Sequence, residues 1–455
     1  MKIVLVNPFQ GPRVSGHGRI YNRVWTPLDL ANSAALLRRG GHDVAVIDAN
    51  AERIGAAEAA RRAAGFAQAY VTSTSLDRWQ CPCLDLRPFC AAASAIRAVV
   101  PELYVMGSHG TVRPAEMLEA TGARAVVRRE PEGILCELAA RKPLAEIKGI
   151  TWKNGLGVVH NPDAPLVDMK DLPLPALDLL PMQRYRYEIM GDHFVLFELS
   201  RGCASQCAFC LLKTYGHGVR QKPLARLQLE IEKAITAHGV RKAYFFDLEF
   251  TVLRRQVVQL CDWLAEMDFD FEWCCQTRFD LVDDELLAKM KRAKCTLIHF
   301  GVEGGSDEAL ARMDKGLVMA QIRAGMLRVK RAGIRTACFF MIGFPECTPK
   351  DIEDIRAFAR ELAPDYPQFH IATPYPGTRL HDRVKNDPKL RFSDDSLFPE
   401  AVEGRFCLEE LRRITRRAYL EYYFRPGYIW GRLAQGGWGH LVDQASLLWG
   451  FVRAD

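Results

Sequence analysis

Residues 198–210 read Glu198-Leu-Ser-Arg-Gly-Cys203-Ala-Ser-Gln-Cys207-Ala-Phe209-Cys210, so three cysteines fall within eight residues. The run Phe194–Leu199 leads into them and reads as a buried strand, which puts the thiols on a loop at a strand's C-terminal end. Thiolates packed this closely suit one soft metal centre. No second Cys/His pair follows at zinc-finger spacing, and an odd number of thiols is poor for disulfides. A cubane iron–sulfur cluster normally takes four cysteines, so three leave one iron open to a ligand.

Outward from this stretch, residues 193–378 repeat strand then helix. Strands are expected at Phe194–Leu199, Ala243–Asp247, Glu272–Gln276, Leu297–Val302, Ala337–Ile342 and Phe369–Thr373. Helices are expected between them, including Leu224–His238, Asp284–Arg292 and Pro349–Leu362. Six such units predict a partial (β/α)6 barrel, with chemistry at the C-terminal ends of its strands. Asp247, Glu249, Arg278, Glu303, Ser306 and Gly343 stand at those ends. Charges there meet a ligand or each other; a structural Arg278–Glu303 pair is the alternative to a binding role.

Upstream, residues 1–140 alternate short strands (Ile3–Val6, Val44–Ile47, Ala69–Thr72, Leu103–Met106, Ala125–Val127) with helices such as Leu28–Arg39. That alternation predicts a doubly wound parallel α/β sheet whose strand-end loops line a pocket. Residues 141–190 hold a hairpin turning at Asn154-Gly155 and a proline-rich linker. The barrel then occupies 191–385, and a small helical region 386–455. In that last region Tyr428, Trp430, Trp438 and Trp449 either pack a cap, contact an apolar substrate or touch a membrane surface.

Cys203-x-x-x-Cys207-x-Phe209-Cys210 resembles the signature of radical S-adenosylmethionine (SAM) enzymes. The resemblance implies a [4Fe–4S] cluster on the three cysteines, with Phe209 at the family's aromatic position. SAM would chelate the fourth iron and be cleaved to a 5′-deoxyadenosyl radical that abstracts hydrogen. It further implies Asp247 or Glu249 at the SAM amino group and Arg278 at its carboxylate. Glu303 and Ser306 would lie near the ribose and amino acid part, and the Gly343 backbone beside adenine.

The first half resembles the cobalamin-binding domain that precedes many such enzymes, through Asn7-Pro8, Pro27-Leu28, Gly41-His42-Asp43-Val44 and Gly107-Ser108-His109-Gly110-Thr111. This implies cobalamin held at Gly107, Ser108 and His109. Arg129-Glu130-Pro131-Glu132 stands where the family usually has Gly-Glu-Gly-Glu. The Asp-x-His-x-x-Gly cobalt-ligating motif is absent, so no histidine is expected below cobalt. Arg78 or Trp79 is expected there; packing at the domain edge is the other reading of Trp79.

The family implication is a cobalamin-dependent radical SAM enzyme, either a methyltransferase acting on an unactivated carbon or a cyclase, rearrangement or oxidation enzyme. An iron–sulfur electron-transfer protein is the reading from another class. Partners expected are a small-molecule substrate and an external electron donor such as a flavodoxin or ferredoxin. The 455 residues carry a formal charge of +6 spread along the chain, which gives no case for nucleic acid. No apolar run of about 18 residues occurs. Fourteen cysteines without a secretion signal point to a reducing cytoplasm. The acting catalytic residue is not readable.

Overall fold

A computed structural model describes residues 1–11, 23–267, 269–392 and 396–430. Trp438, Trp449 and the end of the helical region expected over 386–455 lie outside the described residues.

The first sheet has five parallel strands, β1 (Lys2–Asn7), β2 (Asp43–Asp48), β3 (Gln68–Thr72), β4 (Glu102–Met106) and β5 (Ala125–Val127). The antiparallel pair β6 (Ile150–Asn154) and β7 (Gly157–His160) extends it, in the order β2-β1-β3-β4-β5-β6-β7. The hairpin expected in the connecting segment is thus part of the first sheet. Ile150 joins the core of Ile3, Leu5 and Tyr70, which pays for that pairing with burial.

Helix Leu28–Arg39 is buried on two sides. Leu30, Ala34 and Leu37 face the first sheet, while Ala31 belongs to the core of the second domain.

The second sheet is parallel and in chain order: β8 (Phe194–Phe197), β9 (Lys242–Phe245), β10 (Glu272–Thr277), β11 (Cys295–Glu303), β12 (Arg335–Ile342) and β13 (Tyr366–Ile371). The two-residue period of a strand sorts its side chains. Val195, Phe245, Ile298 and Phe340 pack outward against the helices. Leu196, Tyr244, Leu297 and Ala337 face inward and share a core with Trp25, Leu76 and Trp79 of the first domain. The concave side of the barrel is therefore where the two domains meet.

Helices Leu224–His238, Asp284–Arg292 and Pro349–Leu362 form as expected. Asp283 caps the second by accepting from Leu286 N, and Thr348 with Asp351 makes a capping box on the third. The C-terminal helix, Leu408–Tyr423, lies along β13, where Tyr419 Oη accepts from Phe369 N at 3.0 Å. No helix among the described residues is long and apolar enough to cross a membrane.

Candidate active site

β8 ends at Phe197, and Asp247 holds the turn that follows. Its carboxylate accepts from Leu199 N at 3.0 Å and from Ser200 Oγ at 2.6 Å. Burial pushes this carboxyl up to about 7. Both oxygens are engaged in the turn, so of the two acidic residues expected here Glu249 is the one that meets the thiol loop.

Ser200–Arg201 pairs antiparallel with Arg220–Gln221, closing the loop that carries the cysteines. Gly202 has φ +92°, and a Cβ on it would run into Gly218 O. Gly218 N donates to Cys203 O at 3.2 Å. Ala208 is held on both sides, its N–H donating to Met313 O at 2.9 Å and its carbonyl accepting from Leu380 N at 2.7 Å. Phe209 packs beside Met313, Phe344 and Leu380.

The three thiols influence one another. Burial pushes Cys203 up to about 12 and raises Cys207; Cys210 is raised well above the ordinary range by burial and then by Cys207 and Cys203. Among the described residues no three His, Cys, Asp or Glu side chains close into a cage for a single ion. Three soft donors on one loop that need a cation to become thiolates fit an iron–sulfur cluster.

Beside this loop lies a knot of charge. Ser205 Oγ donates to Glu249 Oε1 at 2.5 Å and accepts from Arg278 Nη1 at 3.2 Å. Arg278 forks onto Asp280 at 2.9 and 3.0 Å and donates to Lys315 O at 2.8 Å and Gly316 O at 2.9 Å. Glu303 sits 3.3 Å from Lys315 Nζ, with its carboxyl raised by burial against the pull of that ammonium. Arg278 and Glu303 each pair with other residues, which corrects the reading that they pair together. Ser306 caps the short helix Asp307–Arg312 by accepting from Ala309 N at 3.2 Å. Gly343 packs against Leu411 of the C-terminal helix. Lys315, in the turn Asp314-Lys315-Gly316, is a site residue that strand-end patterning misses, because it follows a helix.

The first-domain loops face this mouth. At the end of β4, Gly107 has φ +108°, and a Cβ there would come 2.6 Å from Ser73 Oγ. Ser108 N donates to Thr74 Oγ1 at 2.7 Å, and Ser108 Oγ to Trp79 O at 2.9 Å. His109 is buried, with Nδ1 3.1 Å from Ser73 Oγ and Nε2 2.7 Å from Cys83 O. Burial lowers it to about 4, so it is neutral, and it stacks on Phe398 of the C-terminal region at 4.6 Å.

Arg78 and Trp79 are buried. Arg78 Nη1 lies 3.1 Å from Cys83 Sγ. Trp79 packs on Tyr215 of the thiol loop at 5.1 Å, and Tyr215 Oη donates to Leu76 O at 3.1 Å. The loop expected below cobalt thus also clasps the cluster loop. Cys81 is its exposed cysteine.

Glu130 and Glu132, in the loop that departs from the family pattern, hold arginines across the domain interface. Arg220 reaches Glu130 at 2.6 and 2.9 Å. Arg201 lies 2.6 Å from Glu132 and donates to Glu198 at 2.8 and 2.9 Å. Arg129 keeps a left-handed conformation, φ 66°, where the family usually has glycine. Nothing in the spacing around Arg201 announces this role.

Residues 197–359 match the model of the Radical SAM superfamily. An uncharacterized methyltransferase of Pyrococcus horikoshii is 29% identical over 94% of this chain and 93% of that protein. An anaerobic magnesium-protoporphyrin IX monomethyl ester cyclase of Rubrivivax gelatinosus is 25% identical over 95% and 82%. In structure, the radical SAM methyltransferase TsrM of Kitasatospora setae, solved with cobalamin and a [4Fe–4S] cluster bound, superposes with a TM-score of 0.68 over 91% of this chain and 81% of that one, at 18% identity. Residues 197–359 are thus similar to the Radical SAM superfamily, and the chain as a whole has the fold of TsrM.

Proposed function

We propose that this protein is a cobalamin-dependent radical SAM methyltransferase that places a methyl group on an unactivated carbon of a small molecule. The observation that carries this is one shared mouth. The thiol loop after β8 touches the charged knot at the ends of β10 and β11 through Ser205, and the strand-end loops of the first domain through Tyr215 on Trp79, so all three border it.

Cys203, Cys207 and Cys210 would hold the [4Fe–4S] cluster, with Phe209 packed behind them. Glu249, Arg278, Glu303, Ser306 and the Gly343 backbone would hold SAM, with Asp247 fixing the turn behind them. Asp280, Ser205 and two carbonyls take all five N–H groups of Arg278, so it would meet the SAM carboxylate by exchanging the longest of these bonds, the one to Ser205. Gly107, Ser108 and His109, with the Arg78–Trp79 loop, would line the cobalamin side. Bound there, the cluster supplies the electron that cleaves SAM, and cobalamin carries the methyl group. The residues' own work is to bind, orient and exclude water. A small redox protein such as a flavodoxin or ferredoxin would deliver the electron.

The test is anaerobic turnover of reconstituted protein with methyl-labelled SAM and candidate small molecules. Methyl transfer yields 5′-deoxyadenosine, S-adenosylhomocysteine and a labelled product together. Deoxyadenosine without S-adenosylhomocysteine or label would favour a second reading, a cyclase or oxidation enzyme, which the Rubrivivax relative supports. Neither nucleoside would refute both.

A further inference from the structure

We propose that the barrel interior binds an uncharged planar ring bearing an N–H or O–H, and that His299 is the residue that hydrogen-bonds it. This deepens the methyltransferase reading by naming its substrate class, and rests on that reading for what then happens to the ring.

Tyr244, Gln276, His299, Phe339 and Gln368 come from five successive strands and share the inward parity. None carries a charge. The charged groups of the mouth are set apart from them in their own pairs, Glu303 with Lys315 and Arg278 with Asp280. The nearest charge, Arg23, is already paired with Asp77 at 3.9 Å, so an ionised group entering among these five would lose its hydration without gaining an unpaired counter-ion.

The rings form a continuous stack. His299 lies 4.9 Å from Tyr244 at 19° and 5.9 Å from Phe339 at 25°, and Phe339 lies 5.7 Å from His370. The imidazole plane is therefore fixed before any ligand arrives. Flat π-systems pack favourably on such a surface. Gln276 and Phe339 are only half-buried, so the stack is open to an entering molecule.

His299 itself is 3% exposed. Its Nε2 lies 3.3 Å from Tyr187 Oη, but among the described residues Nδ1 has no hydrogen-bond partner. Burial, helped by the nearby charge of Arg23, lowers the imidazole to about 3. The ring is neutral, so Nδ1 offers either one N–H or one lone pair. Leaving a buried polar nitrogen unpaired is costly, and such a group is met by a ligand atom or by ordered water. By contrast, the neighbouring Tyr244 Oη is satisfied, donating to Gln276 Oε1 at 3.1 Å. Of this stack, the group left for a ligand's polar atom is His299 Nδ1.

The experiment uses the full chain with its cluster reconstituted, and equilibrium dialysis against indole and against benzoate as a charged ring of similar size. Wild type should retain indole over benzoate. His299→Phe, which keeps the stack and removes the nitrogen, should weaken indole roughly tenfold, and His299→Gln should restore part of the loss. Calorimetric SAM binding reports that each variant is folded. Benzoate held as tightly as indole, an unchanged indole affinity in His299→Phe, or no indole binding to wild type (a nitrogen met only by water) would each overturn the proposal. Failure here with SAM cleavage by wild type intact leaves the methyltransferase reading standing; absent SAM cleavage strikes that reading instead.

Discussion

The guanidinium of Arg201 lies 2.6 Å from the carboxylate of Glu132, so the residue two places before Cys203 is anchored to the opposite domain. Both side chains are about 1% exposed or less, and Glu198 takes two further hydrogen bonds from the same arginine. Arg201 also stands 5.7 Å from the ring of Trp79. One cation thus ties the cluster loop, β8 and the first domain together.

Replacing Arg201 by methionine should therefore destabilise strongly. It leaves Glu132 and Glu198 buried without their cation, a loss on the order of 3–5 kcal/mol. Thermal melting and limited proteolysis between the domains are the measurements. A melting temperature within a degree of wild type would show that the interface stands without this charge.

Each of Cys203→Ala, Cys207→Ala and Cys210→Ala should abolish the cluster, while Cys81→Ala and Cys261→Ala should not. Cys261 lies in the outer core between sheet and helices, and Cys81, although near enough to Cys210 to raise it, belongs to a loop of the first domain outside the three-cysteine spacing. Iron content and visible absorption after anaerobic reconstitution decide it. Full iron in any of the first three variants would remove the assignment.

Arg278→Ala should cost about 1.5–3 kcal/mol of SAM binding with the cluster intact, the range for a charge-assisted hydrogen bond. Lys315→Met should act through Glu303. Lys315 opposes the burial that raises the Glu303 carboxyl, so its loss pushes that carboxyl further up. The carboxylate form then disappears at a higher pH as acid is added. The midpoint at which SAM affinity falls should move up in Lys315→Met relative to wild type. Calorimetric titration across pH reads both effects, and an unmoved midpoint would separate Glu303 from SAM.

The strands and helices were legible because each carries a short-range signal. Strands such as Ala125–Val127 are short apolar runs, and Leu224–His238 ends at Gly239, which adopts the left-handed conformation a helix stop favours. The cysteines were legible because their spacing is chemistry in itself. The partners of Arg278, Glu303 and Asp247 were not, since those pairings depend on loops brought together by tertiary packing. Arg201 was illegible for the same reason: Glu132 is far away in sequence, and nothing local distinguishes a bridging arginine from a solvated one. The hairpin at 150–160 was found, but its place in the first sheet follows from pairing with β5, which no local pattern encodes.

Asp29 makes stability depend on pH. It is buried on the interface helix and accepts from Leu76 N at 3.1 Å. Burial, more than that hydrogen bond opposes and with Glu132 adding to it, raises its carboxyl from 3.8 to about 7. The folded state then holds a proton that the unfolded chain releases, so this group's contribution falls as pH rises from about 4 to 7, at most about 1.4 kcal/mol per pH unit. Asp29→Asn keeps an acceptor for Leu76 and carries no charge. It should melt higher than wild type at pH 8 and close to it at pH 4. Equal melting temperatures at pH 8 would show that Asp29 is not the buried carboxyl that titrates.

The last prediction concerns the glycine that lets the cluster loop close. Gly202 has φ +92°, a conformation that side-chain-bearing residues rarely adopt, and a Cβ would meet Gly218 O. Gly218 N in turn donates to Cys203 O, so moving that peptide moves the first thiol. The loop starts and ends at the short Ser200–Arg201 and Arg220–Gln221 pair, whereas β8 is fixed separately in the outer core. Gly202→Ala should therefore leave the barrel folded, with circular dichroism like that of wild type, while lowering iron retention after reconstitution and desalting. Its iron content should fall between those of wild type and Cys203→Ala. Wild-type iron content and absorption in Gly202→Ala would mean that the loop tolerates the displacement, and that Gly202 does not set the position of Cys203.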